Sequence, residues 1–240
     1  MRKFITFDII EFMKQLTIPS YTEKKIKKGQ FVLEKQDFPS LPFHDQAVEL
    51  ANTKGQFIGI GYLSEQNKGI GWFISHKKVT LDVSFFCQLF QCAKEKRQVY
   101  QQSEETTAYR LFNQEGDGFG GFTIDLYQDY AVFSWYNLFV YEMKETVVQA
   151  FQHVFSEVAG AYEKIRFKGL DVESAHLYGQ EASAFFTILE NGVRYQVFLN
   201  DGLMTGIFLD QHEVRGSLVE GLATGKSLLN MFSYTAAFSV

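Results

Sequence analysis

The last fifteen residues constrain the fold of this chain more than any other segment. Residues 227–232 form an apolar pattern that predicts a strand buried on both faces, and the small residues from Ser233 to Ala237 predict a turn that leads into a helix. A strand, turn and helix in this order are typical of the first strand of a doubly wound α/β sheet, where ligands bind beyond the strand's carboxyl end. One strand cannot bury both faces, so we expect Val240 to lie inside a longer protein.

Composition indicates a soluble globular protein of one or two domains. The chain has 240 residues, of which 46% are hydrophobic and 21% are charged. No apolar run approaches the roughly 20 residues that cross a bilayer, and the first residues lack the apolar block of a signal peptide. We therefore expect a cytoplasmic protein without a membrane partner. The net charge of −5 disfavours a large basic face and leaves room for local basic patches.

Residues 26–75 contain short alternating runs, and glycines within these runs predict the bent strands of a small closed barrel, which we expect to span 1–75. A linker at 76–107 follows, with a helix predicted at 82–100 and Asp82 as its N-cap. Cys87 and Cys92 are too far apart around this helix to pair or to share a metal ion. The histidines also lack metal-ligand spacing, so we expect no metal site.

Residues 108–200 predict an α/β unit. Strand patterns at 109–113, 122–127 and 130–135 precede a helix at 143–158, and a short strand follows around Ile165 and Phe167. Asn191 and Gly192 predict a type I′ turn within a hairpin at 185–198. The glycine-rich loop at 116–121 joins two strands and opens no helix, which favours a structural turn over a phosphate cradle.

Two polar clusters have both an ordinary and a functional interpretation. The lysines of the first cluster could contact phosphates, although a charge run is more often a solvated face; they are Lys24, Lys25, Lys27 and Lys28. In the second cluster Asp210, Gln211 and Arg215 follow an apolar run, and taken alone they predict ordinary helix capping with Asp210 at the N-cap.

Three motifs together resemble one family. They are Thr205-Gly-Ile-Phe-Leu-Asp-Gln211, Asn230-Met-Phe-Ser-Tyr-Thr-Ala-Ala-Phe238, and a central signature with Arg110, Leu111, Asn113, Glu115, Asp117, Gly118, Gly121 and Asp125. The chain resembles the bacterial 23S rRNA large-subunit methyltransferases that modify cytosine at C5, which use S-adenosylmethionine and carry an N-terminal PUA domain. Four residues depart from the family pattern: His212 replaces Arg, Ala236-Ala237 replaces Gly-Gly, and Gly120 replaces Pro.

The resemblance implies a multidomain α+β and α/β protein. Its expected parts are a PUA-like RNA-binding barrel at 1–75, the linker helix at 76–107, a central α/β domain at 108–200, and the beginning of a Rossmann-like methyltransferase domain at 201–240. The implied cofactor residues are Phe208, Gln211, Arg215, Asn230, Phe232, Ser233, Tyr234 and Thr235. The four lysines are the expected RNA contacts, and the catalytic residues are expected beyond Val240.

Two alternatives to this function stay open. The chain could be a non-catalytic RNA-binding adaptor, or part of a methyltransferase that acts on another nucleobase or substrate. The 23S rRNA is the implied partner, and a homodimer is also compatible with the sequence.

Overall fold

The computed structural model describes residues 13–38, 40–42, 44–66 and 69–240, which form a mixed α/β structure. The described chain divides into two compact units. The first contains the described residues up to Leu89 together with Gln114–Gly121 and Tyr136–His153, and the second contains Phe90–Asn113, Phe122–Trp135 and Val154–Val240. No described helix is long and apolar enough to cross a membrane.

The first unit is built on a five-stranded sheet with the order β1-β3-β4-β5-β2. Its elements are β1 (Lys14–Thr17), α1 (Ser20–Lys27), β2 (Val32–Glu34), β3 (Gln46–Ala51), β4 (Phe57–Gln66) and β5 (Gly69–Ser75). Strands β1 and β3 are parallel, and the other pairs are antiparallel. The expected strands are present, but α1 was not predicted, because only Thr22 and Ile26 of this lysine-rich segment are buried.

Glycine is required where β4 and β5 pack closely. A Cβ atom on Gly59 would lie 2.3 Å from the carbonyl oxygen of Ser75, and one on Gly71 would lie 2.3 Å from that of Tyr62. The rings of Tyr62 and Trp72 stack across this pair of strands, with centroids 5.3 Å apart. The glycines that predicted bent strands therefore allow two backbones to approach beside a pair of large rings.

The 116–121 loop is a packed structural turn, as predicted. The Tyr62 hydroxyl donates to the carbonyl oxygen of Gly120 at 2.8 Å and accepts from the Asn137 amide at 3.1 Å. A Cβ atom on Gly120 would lie 2.1 Å from the Trp72 indole. Packing against Trp72 thus accounts for glycine at the position where the family pattern has proline.

The second unit contains a five-stranded sheet with the order β10-β9-β8-β7-β6 and a separate hairpin. Its strands are β6 (Ala108–Asn113), β7 (Phe122–Tyr127), β8 (Tyr130–Trp135), β9 (Gly160–Ile165), β10 (Ser174–Gly179), β11 (Phe186–Glu190) and β12 (Val193–Val197). Strands β8 and β9 are parallel, and the other pairs are antiparallel. The edge strand β10 was not predicted, and it differs from the predicted strands of this sheet in having no buried residue.

The helices and the hairpin largely follow the local signals. The remaining helices are α2 (Val83–Lys96), α3 (Gln98–Gln101), α4 (Leu138–Glu142), α5 (Lys144–Val154) and α6 (His212–Val219). Asp82 caps α2, since its Oδ1 accepts from the backbone amide of Phe85 at 2.8 Å. Asn191 and Gly192 have φ of 52° and 76°, which confirms the type I′ turn.

The prediction of a buried strand at 227–232 is wrong for this structure. The segment is irregular, and Leu229 and Phe232 are 81% and 97% exposed. A strand needs neighbours that complete its backbone hydrogen bonds, and within the described part of the chain no strand lies beside this segment. The expected start of a doubly wound sheet is therefore not formed by these residues alone.

Candidate functional site

A buried ion pair fixes α6 to the hairpin. The Arg215 side chain is 3% exposed, and its guanidinium donates to the two carboxylate oxygens of Glu190 at 2.5 and 2.9 Å. It also donates to the carbonyl oxygen of Phe208 at 2.7 Å. Buried charges of this kind are tolerated when they are paired and hydrogen-bonded. The expected cap is absent, since no side chain caps α6 and its N-cap position is Gln211.

The structure brings two of the predicted motifs into contact. The rings of Phe208 and Tyr234 lie 5.3 Å apart, and the Thr235 hydroxyl donates to the carbonyl oxygen of Gly206 at 2.7 Å. The segments at 205–211 and 230–238 therefore meet within the second unit, although more than twenty residues separate their starts in the sequence.

The other candidate cofactor residues are less closely grouped than Phe208, Tyr234 and Thr235. Gln211, Phe232 and Ser233 are exposed, and the Asn230 amide donates to the Ser239 hydroxyl at 2.8 Å. A cavity of about 220 Å³ lies nearby, and its lining includes Arg215, Leu228 and Phe238. This volume is below the roughly 300–1,000 Å³ of typical ligand pockets. The described residues thus assemble part of the predicted set around Phe208 and Thr235.

Lys164 has a structural role that the sequence patterns did not predict. Its buried ammonium group donates to the carbonyl oxygens of Leu199 at 2.7 Å and Gly202 at 2.5 Å, and to the Ser174 hydroxyl at 2.9 Å. Burial, with a smaller effect from Arg166, lowers the pKa of Lys164 to about 8. The sequence feature that could have indicated this role is the pair of adjacent charged residues, Glu163 and Lys164, inside a strand.

Further hydrogen bonds hold the segment that leads into the 205–211 motif. Arg166 donates to the carbonyl oxygen of Leu203 at 2.9 Å, and the hydroxyls of Tyr127 and Thr205 lie 2.8 Å apart. Together with Lys164, these side chains position the backbone of 199–205 against the sheet of the second unit. Hydrogen bonds from side chains on or directly after β7 and β9 therefore fix the start of the 205–211 motif.

The four candidate RNA-binding lysines lie on or directly after α1, and they differ in their pairing. Lys25 forms ion pairs with Glu34 at 2.6 Å and Asp37 at 3.2 Å, and the hydrogen bond to Glu34 raises the pKa of Lys25. Lys27 pairs with Glu23 at 2.7 Å. Lys24 and Lys28 are exposed, and no ion pair holds them among the described residues. These two lysines are the better candidates for phosphate contacts.

Among the described residues, no group of three or more His, Cys, Asp or Glu side chains could hold a metal ion. Cys87 and Cys92 are both free, and burial raises the pKa of the Cys87 thiol. A raised thiol pKa disfavours the thiolate that nucleophilic chemistry requires.

Comparison with known families identifies the class of the first unit. The profile of a family described as a PUA-like domain matches residues 16–76. This range begins in β1 and ends just after β5, so it covers the five-stranded sheet and α1. The chain therefore contains a PUA-like domain, as the resemblance implied.

The chain is homologous to ribosomal RNA large subunit methyltransferases. It is 39% identical over 95% of its length to YwbD of Bacillus subtilis, which is named as a candidate enzyme of this kind, and it covers 60% of that protein. It is 33% identical to ribosomal RNA large subunit methyltransferase I of Photobacterium profundum, with 83% of this chain and 51% of that protein covered.

Solved structures agree with these relatives. A candidate SAM-dependent methyltransferase from Streptococcus mutans matches with a TM-score of 0.91 and 56% identity, over 95% of this chain and 59% of that one. A crystal structure of the candidate methyltransferase SMU.776, complexed with SAH, matches with a TM-score of 0.90 and 56% identity, over the same shares of both chains. The chain thus spans about three fifths of the length of these proteins.

Proposed function

We propose that this chain forms part of an S-adenosylmethionine-dependent RNA methyltransferase whose target is C5 of a cytosine in 23S rRNA. The observation that carries the proposal is the contact between the 205–211 and 230–238 segments, made by Phe208 with Tyr234 and by Thr235 with Gly206. The likeness to a methyltransferase complexed with SAH supports the same assignment.

The side chains around this contact suit the methyl donor chemically. Phe208, Phe232 and Tyr234 are exposed aromatic rings that can pack against an adenine base. Asn230, Ser233 and Thr235 carry amide and hydroxyl groups that can hydrogen-bond to its polar parts. Gln211 and Arg215 complete the proposed set. Arg215 acts indirectly, because its hydrogen bond to the carbonyl oxygen of Phe208 positions that residue. The bound donor would supply an electrophilic methyl group.

In this proposal the parts of the chain divide the work. Residues 1–75 dock structured RNA, residues 76–107 link the parts, the 108–200 domain helps to form the RNA cleft, and residues 201–240 contribute to the donor site. The target base must leave its stack to react. Because C5 of cytosine is a weak nucleophile, such enzymes generally add a cysteine thiolate at C6 first. Neither Cys87 nor Cys92 is proposed for this role, because both lie on α2.

Calorimetry tests the donor site. In the complete gene product, Asn230→Ala and Thr235→Ala should each weaken S-adenosylmethionine binding by about tenfold, because each removes a hydrogen bond to the donor. Thr187→Ala makes the same chemical change at an exposed position of β11 and should bind like the unmodified protein. Unchanged affinity in both test variants would overturn the assignment.

The salt dependence of binding tests the RNA surface on α1. Contacts to phosphates release counterions, so the affinity for an rRNA fragment should fall steeply with salt. A Lys24→Glu/Lys28→Glu variant should flatten the slope of log K against log salt by about two units. A Lys54→Glu/Lys226→Glu variant, which changes two exposed lysines outside α1, should keep the slope.

An unchanged slope in the Lys24→Glu/Lys28→Glu variant would show that these lysines are a solvated face. The two experiments also separate the proposal from the adaptor alternative. An adaptor would show the salt response without any affinity for the methyl donor.

A further inference from the structure

A second cavity of the second unit lies between the central signature and the 205–211 motif. Its volume is about 360 Å³, within the roughly 300–1,000 Å³ of typical ligand pockets. Its polar and aromatic lining consists of Arg97, Tyr100, Tyr109, Arg110, Asn113, Asp210 and His212. The turn at Leu209–Gln211 lies against β6, which brings the two motifs to one cavity. The donor site proposed above does not use this cavity.

The charges of the cavity are largely balanced. The Arg110 guanidinium donates to the Asp125 carboxylate at 2.7 and 3.1 Å, and Arg97 donates to the carbonyl oxygen of Arg110 at 3.2 Å. Asp210, which also lines the cavity, adds a negative charge. A phosphate inside the cavity would meet this carboxylate, so the balance favours a ligand whose enclosed group is neutral and carries both donors and acceptors.

One wall of the cavity is aromatic. Tyr100 stacks on Tyr109 with ring centroids 5.2 Å apart, and the ring of His212 meets Tyr100 edge-on at 5.6 Å. The Tyr100 hydroxyl donates to Glu213 at 3.4 Å, which helps to hold the ring in place. Flat aromatic walls of this kind favour planar ligands such as nucleobases.

We propose that this cavity binds an unpaired RNA base that carries an exocyclic amino group. Asp210 and Asn113 are exposed and line the cavity, so their polar atoms can reach a ligand. The Asp210 carboxylate accepts a hydrogen bond from the amino group, and the Asn113 amide pairs with the adjoining ring atoms. The inference deepens the proposed function and depends on it for the identity of the ligand as RNA.

Titration of the 240-residue chain with cytidine and uridine 5′-monophosphate, followed by NMR, tests the proposal. The two probes share their phosphate and sugar, but uridine monophosphate has a carbonyl oxygen at C4 and a proton on N3 where cytidine monophosphate has the amino group and an unprotonated N3. Cytidine monophosphate should bind about tenfold more tightly and shift resonances of Tyr100 and His212. Asp210→Asn should remove this preference, because the amide can accept from the amino group of cytosine and can equally donate to the carbonyl oxygen that replaces it in uracil.

Asp129→Asn is the matched control. It makes the same change at an exposed residue that lines a neighbouring cavity, and it should keep the preference for cytidine monophosphate. Equal binding of the two probes, or a preference that survives Asp210→Asn, would overturn the proposal. Calorimetry with S-adenosylmethionine is a separate readout, so failure of the donor site and failure of this cavity are distinguishable.

Discussion

Replacing Arg215 with methionine should lower the free energy of unfolding by about 3–5 kcal/mol. The substitution leaves the Glu190 carboxylate, which is 1% exposed, without its guanidinium partner and with only the His212 imidazole nearby, whose Nδ1 lies 3.6 Å from Oε2. It also removes the donor to the carbonyl oxygen of Phe208. The loss is large because an unpaired buried charge keeps its full desolvation cost, whereas the intact pair offsets that cost.

Urea unfolding followed by circular dichroism measures this effect. Arg194→Met is the matched control, since Arg194 is exposed on β12 of the same hairpin, and it should change stability by no more than about 0.5 kcal/mol. A Glu190→Gln/Arg215→Met variant should recover part of the loss, because it no longer buries a charge. Equal stabilities for Arg215→Met and Arg194→Met would contradict the role of the pair.

Gly121→Ala should lower the free energy of unfolding by about 2–5 kcal/mol, through two additive effects. The residue has a φ of 97°, which side chains rarely adopt. The new Cβ atom would also lie 2.5 Å from both the Tyr62 hydroxyl and the Asn137 amide. Those two groups are hydrogen-bonded to each other within a buried network, so neither can move without losing a partner.

Gly55→Ala separates the two effects. Gly55 has a similar φ of 75°, but no atom lies within 4 Å of the position of a Cβ atom. Gly55→Ala should therefore lower the free energy of unfolding only by the cost of the backbone conformation, about 1–2 kcal/mol. Thermal or urea unfolding of both variants measures the two losses of stability. Equal losses would show that the structure around Gly121 rearranges to accept the Cβ atom without a packing cost.

The sequence by itself determined the elements whose causes are local. The Asn191-Gly192 turn requires two positive φ angles that these residues adopt easily, and Asp82 reaches the backbone amide of Phe85 only three residues away. The alternation of apolar and polar residues from Phe122 to Leu126 in β7 also needs no partner to be recognised. These signals were sufficient because the interacting groups are neighbours in the chain.

Only the tertiary structure decided which distant groups meet. Lys25 was a candidate phosphate contact in the sequence, but in the structure it pairs with Glu34 and Asp37. Lys164 is buried against the carbonyl oxygens of Leu199 and Gly202. The segment at 227–232 shows the same principle in reverse. Its apolar pattern predicts a strand, but a strand forms only when neighbours complete its hydrogen bonds. Partners far along the chain cannot be identified from local patterns. A local pattern reflects the conformational preferences of neighbouring residues, whereas tertiary contacts depend on which distant groups the fold brings together.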